Sequence, residues 1–141
     1  MTGTPVLVAV SGAPLDVAAH EEFVTRPGAG AHVVFRGVVR DHDAGREVVQ
    51  LDYEAHPSVE QVLADVVAEF AALPEVRAIA VSHRVGTLAI GDVALVAAVA
   101  TPHRREAFEI CARLVDEVKH RLPVWKRQVF SDGTDEWVNC P

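Results

Sequence analysis

Residues 31–55 read AHVVFRGVVRDHDAGREVVQLDYEA, and the class of the fold turns on this stretch. Ala31 to Arg40 is rich in β-branched residues and predicts a strand, with Gly37 marking a bulge or a close backbone approach. Asp41 to Arg46 is a polar loop. Val48 to Ala55 predicts a second strand, and the spacing predicts a hairpin with the first. On the C-terminal side, Ser58 and Gln61 have capping-box spacing, and Val59, Val62, Leu63, Val66, Val67 and Phe70 form one apolar helical face that Pro74 ends. Ala78 to Val85 and Asp92 to Ala100 predict two strands joined through Gly86 and Gly91. The second is almost wholly apolar and belongs inside a sheet. Thr101-Pro102 predicts the start of a long helix with proline at its first position, running to Leu122 and stopped by Pro123. Val124 to Phe130 is a strand, and Trp137-Val138 a last one. On the N-terminal side, Pro5 to Ser11 is a strand and Leu15 to Phe23 a short helix with Asp16 near its start. Hairpins outnumber β-α-β units, so the expected class is α+β with a mainly antiparallel sheet and two principal helices.

The chain has 141 residues, which suits one domain over 1–141. Its 26 Val and 21 Ala supply most of the apolar mass, enough to exclude a disordered chain. The longest apolar run, Val93 to Ala100, is far short of the ~20 residues a membrane span needs. Met1 to Pro5 carries no basic region and no apolar leader segment, so a cytoplasmic location is expected. Net charge is −7, which argues against a broad nucleic-acid surface. Two cysteines, Cys111 and Cys140, are too few for a disulfide framework. The seven His show no metal-ligand spacing. Cys111 reads as a core thiol.

The cations are unevenly chosen. Of 13 basic residues 11 are Arg, and the only lysines are Lys119 and Lys126. Arg stays protonated, whereas Lys can serve as acid, base or amine nucleophile once its surroundings allow it. Keeping Lys at two positions alone points to amine chemistry there. Lys119 shares or borders the apolar face of its helix with Phe108 and Val115, and the plain alternative is a snorkelling edge residue. Lys126 faces the same way as Val124 and Gln128, opposite Trp125 and Arg127, and the plain alternative is an edge-strand charge. His103, Arg104 and Arg105 sit at the positive pole of a helix, which makes sense if an anion binds there. Surface pairing with Glu106 or Glu109 explains the arginines equally well. Arg40 is a further candidate anion ligand.

Taken in order, FRGVVR at 35–40, HRVG at 83–86, Gly91-Asp92, HRREAF at 103–108 and KHRLPVWKR at 119–127 resemble the large, catalytic subunit of molybdopterin synthase, the MoaE family. The resemblance runs from about Val6 to Val138. It implies an α/β hammerhead fold, a homodimer, and one small ubiquitin-like β-grasp carrier per protomer, whose C-terminal Gly-Gly tail ends in a thiocarboxylate. It implies sulfur transfer to cyclic pyranopterin monophosphate, giving the dithiolene of molybdopterin with no metal or organic cofactor. By position, it makes Lys119 and Lys126 catalytic, His103 and Arg104 substrate ligands, and Val38, Val39 and Arg40 the phosphate site, with Arg127 and Gln128 extending it. Two departures stand out. The family usually has Glu where this chain has Gln128, and it often continues past the last Trp, whereas this chain stops at Pro141. A C-terminal contribution to the pocket or carrier groove is therefore expected to be lost or shortened. Two other readings remain open: a module that docks a β-grasp partner without chemistry, and a small-ligand regulator using the His103–Arg104 pole.

Overall fold

The computed structural model describes residues 3–138. In chain order the elements are β1 (Val6–Ser11), α1 (Val17–Val24), β2 (Ala31–Val38), β3 (His42–Asp43), β4 (Arg46–Ala55), α2 (Val59–Ala71), β5 (Ala78–Arg84), β6 (Gly86–Leu88), β7 (Val93–Thr101), α3 (Arg104–Arg121), β8 (Val124–Phe130) and β9 (Asp135–Val138). Every residue of β7 after Val93 is buried, so the strand needs neighbours on both edges and cover on both faces. It has both. The first sheet has the order β1-β5-β7-β2, antiparallel except where β1 joins β5.

The two faces of this sheet differ in side-chain size, and size decides what covers them. Ile79, Val81, Leu95 and Val99 pack against Leu63 and Val66 of α2 and Leu114 and Val118 of α3. Each such side chain buried contributes about 1.5–3 kcal/mol. The other face presents Ala78, Ala80, Ala98 and Ala100, which lets the short helix α1 approach closely through Val24 and Phe23. A buried polar pin fixes α1 there. His20 donates from Nδ1 to the Asp16 carbonyl at 2.6 Å, which leaves Nε2 as an acceptor for the Ser82 hydroxyl, also at 2.6 Å. Asp16 caps the helix by accepting from the Ala19 amide at 3.0 Å.

The second sheet has the order β3-β4-β8-β9, with β6 also paired to β4, and all its pairings are antiparallel. The expected α+β class is what forms. The expected hairpin between 31–40 and 48–55 is not. β2 pairs with β7, while β4 pairs with β6 and β8. The chain leaves the first sheet at a register shift between Gly37 and Val38. Val39 then donates to Asp92 O at 3.0 Å and accepts from Gly91 at 2.9 Å. The turn chemistry of the loop is used locally instead. Ala44 and Gly45, both at positive φ, close a tight turn between Asp43 and Arg46, as two-residue hairpins require.

Two helix starts also differ from expectation. Thr101 ends β7 and its hydroxyl donates to His103 O at 2.6 Å, so His103 becomes the N-cap and α3 begins at Arg104 rather than at Pro102. Ser58 is the N-cap of α2, but its hydroxyl pairs with His56 Nδ1, and the Gln61 amide donates to Asp65. The capping box is therefore not formed. On α3 the buried face is Ala107, Ile110, Cys111, Leu114, Val115 and Val118, and Phe108 lies off it, 63% exposed.

The pin under α1 is testable. Ser82→Ala leaves His20 Nε2 buried without its donor and should destabilise the fold by about 1–3 kcal/mol. Urea unfolding measures the loss, and hydrogen exchange should place the extra opening in α1.

Candidate active site

The two sheets meet at the end of β2, and the C-terminal turn of α3 closes the third side. Between them lies a cavity of about 260 Å³. Lys119 enters it from the exposed edge of α3's apolar face. Lys126 enters from β8, directly across from Tyr53 of β4. Alternation along β8 sends Val124, Lys126, Gln128 and Phe130 inward and turns Trp125 and Arg127 outward. The short Leu122-Pro123 connection keeps the two lysines on one cavity, although they stand seven positions apart in the chain. Val38, Val39 and Arg40 form a further wall, held in place by the Val39 bonds to Gly91 and Asp92. The Asp92 carboxylate in turn accepts from Arg84 at 3.1 Å and from the Ala89 amide at 2.9 Å.

His83, Tyr53 and Asp43 belong to this region and were not singled out as site residues from the sequence. His83 is 1% exposed and meets Tyr53 edge-on, with ring centroids 5.0 Å apart. Its Nδ1 donates to the Arg84 carbonyl at 2.7 Å, so Nε2 carries the lone pair. Burial pushes its pKa down to about 4, and the nearby Lys119 charge adds to the effect. The imidazole is therefore neutral at ordinary pH. The one hint in the sequence is a histidine between Ser82 and Arg84 at the end of a strand that begins with four apolar residues, AIAVSHR. Asp43 lies beside the cavity: the Gln128 amide donates to Oδ2 at 3.0 Å, and Arg40 approaches Oδ1 at 3.4 Å. That hydrogen bond from Gln128, with the charges of Lys126, Arg40 and His42, holds the carboxyl below the usual range. The carboxylate beside Gln128 thus comes from Asp43, across the sheet.

The structure brings Lys119, Lys126, Val38, Val39, Arg40 and Gln128 together on one cavity. It does not bring His103, Arg104 or Arg127 to it. His103 and Arg104 stand at the opposite end of α3, about 24 Å from Lys119 at 1.5 Å per residue. Arg127 faces outward between Asp52, at 2.9 Å, and Asp135, and these carboxylates raise its pKa further. Burial raises the Cys111 thiol to about 11, which removes it as a nucleophile. Cys140 lies outside the described residues. Among the described residues no group of three or more His, Cys, Asp or Glu is placed to hold a metal ion, and no helix is long and apolar enough to cross a membrane.

The family model described as MoaE protein matches residues 10–121. The chain belongs to this family. It is 35% identical over 133 residues to the molybdopterin synthase catalytic subunit of Nostoc sp., covering 93% of this chain and 81% of that one. The crystal structure of molybdopterin synthase from Staphylococcus aureus superposes with a TM-score of 0.81 at 30% identity, covering 98% of both chains. A complex of subunits 1 and 2 of the molybdopterin-converting factor from Helicobacter pylori shares the fold, with a TM-score of 0.71 at 19% identity, covering 95% of this chain and 88% of that one. The cavity with both lysines is therefore the candidate active site of a family of enzymes in molybdenum cofactor biosynthesis.

The neutral His83 makes stability depend on pH. The unfolded chain takes up a proton near pH 6.5 and the folded chain only near pH 4, so stability falls as pH drops between those values. The shift corresponds to about 3 kcal/mol. Urea unfolding at pH 7.5 and pH 4.5 should show most of this loss, and His83→Gln should flatten that slope.

Proposed function

We propose that this chain transfers sulfur from the C-terminal thiocarboxylate of a small β-grasp carrier to cyclic pyranopterin monophosphate, building the dithiolene of molybdopterin. One observation carries the reading: the only two lysines of the chain line one cavity, and Arg40 stands beside them. Both reactants are anionic. Arg40 and Lys126 supply the charge that draws a phosphate and a thiocarboxylate into the cavity. Lys119 supplies an amine at the reacting end, and the uncharged His83 and Tyr53 behind it keep that wall free of carboxylate. A tail of two glycines is thin enough to enter such a space. In the Helicobacter pylori complex a chain of this fold is paired with a second, different subunit, which is in keeping with a docked carrier.

The position of His103 and Arg104 adds a requirement. At about 24 Å from Lys119 along α3, they serve the same substrate only if a second copy of the chain presents them. The active species in this reading is a homodimer whose sites each combine the lysines of one protomer with the helix pole of its partner. The anion-binding character of a helix N-terminus then falls on the phosphate of the pterin.

The direct test mixes the protein with thiocarboxylated carrier and the cyclic pterin precursor and looks for dithiolene product. Lys119→Ala should abolish product while the fold survives, and Lys119→Arg should fail almost as badly because Arg does not release its proton. Near-normal turnover by Lys119→Arg would reduce Lys119 to a fixed charge. The shared site predicts complementation. Lys119→Ala and His103→Ala should each be nearly inactive alone. Co-expressed, they should recover activity, because one site of each hybrid dimer is intact. No recovery would place the helix pole outside the reaction.

A further inference from the structure

Among the described residues no Asp or Glu lines the cavity, while Arg40, Lys119 and Lys126 all do. The nearest negative charge described above is Asp43, one of the two residues of β3. The tight Ala44–Gly45 turn leaves it little freedom. Its two oxygens are used differently. Oδ1 faces the guanidinium of Arg40 at 3.4 Å, and Oδ2 accepts from Nε2 of Gln128 at 3.0 Å. Gln128 is 4% exposed, so packing sets the direction of its amide. Gln128 also lies two residues from Lys126 on the same face of β8, and the Lys126 charge acts on the Asp43 carboxylate together with that of Arg40.

We propose that Asp43 is a positioning residue of the reaction: clamped by the Gln128 amide, its carboxylate holds Arg40 and Lys126 as a fixed pair of cations on one wall of the cavity. Without that counter-charge two long cationic side chains repel each other and spread into solvent. With it, an incoming anion meets both at a set spacing. This role rests on the sulfur-transfer reading for its activity assay but not for its electrostatics. The groups facing Asp43 are Gln128, Lys126, Arg40 and His42, so the coupling can be measured with no turnover at all.

The test has two arms. In the first, the Asp43 carboxyl is titrated by carbon NMR in the intact protein and in Lys126→Met. Its midpoint should move to higher pH in the variant, and an unmoved midpoint would overturn the coupling. In the second, Asp43→Asn keeps an acceptor for Gln128 but removes the charge. With an unchanged thermal melt, its kcat should fall about tenfold or more, while KM for the pterin stays level or drops, because the cations remain and a competing anion is gone. Asp43→Asn combined with Gln128→Glu returns the charge across the same hydrogen bond and should restore kcat to within about threefold. Wild-type kcat in Asp43→Asn, or no rescue in the double variant, would overturn the proposal. Absence of product from the unmodified protein would instead defeat the sulfur-transfer reading, and the NMR arm alone would then decide the Asp43–Lys126 coupling.

Discussion

A strand with no polar face has to be covered everywhere, and β7 imposes that demand on the rest of the molecule. From Ala94 to Thr101 it is buried, with β5 and β2 on its edges. Large side chains on one face require α2 and α3, and alanines on the other admit α1. β2 takes the end position of that sheet against β7, and β4 does not join its other edge. The chain leaves the first sheet after Gly37 and builds a second one from β3, β4, β6, β8 and β9. The cavity is the space left where the two sheets part. Its walls are the ends of β2, β5 and α3 and the start of β7, together with His42 of β3 and the middle of β4 and β8.

Charge is distributed over that cavity by the same logic. The alternation of β8 decides that Lys126 faces in and Arg127 faces out, where two carboxylates take up its charge. The edge of α3's buried face places Lys119 at the rim rather than in the core. Burial keeps His83 uncharged beside them, so the imidazole adds a fixed dipole without a further positive charge. The result is a concave, cationic surface on a chain whose net charge is −7.

Much of this was legible in the sequence, wherever the controlling information is local. The uninterrupted apolar run at 93–100 announced an interior strand, and the period of two across Val124, Lys126 and Gln128 announced which way Lys126 points. The partner of β2 was not legible. A loop of hairpin length says nothing about a competing strand some sixty residues away that offers a better-buried edge. The start of α3 was not legible either, because Thr101 pairs with Ala31 across the sheet and so still belongs to β7. Asp43 and His83 were overlooked for a related reason. A counter-charge and a neutral imidazole are defined by what lies across space from them, and the sequence near each of them carries no trace of Gln128 or Tyr53.

The scarcity of lysine has a practical side. The chain carries primary amines on two side chains only, and both open onto the same cavity. A reagent selective for side-chain amines, such as an active ester or a reductive methylation mixture, therefore reads out the occupancy of that cavity rather than the average surface. Coupling the protein to a resin through its lysines would block the cavity, whereas coupling through carboxylates would spare it. Any acyl group captured from a bound peptide tail has two side-chain addresses, and a protease that cleaves after unmodified lysine and arginine would tell them apart in a single peptide map.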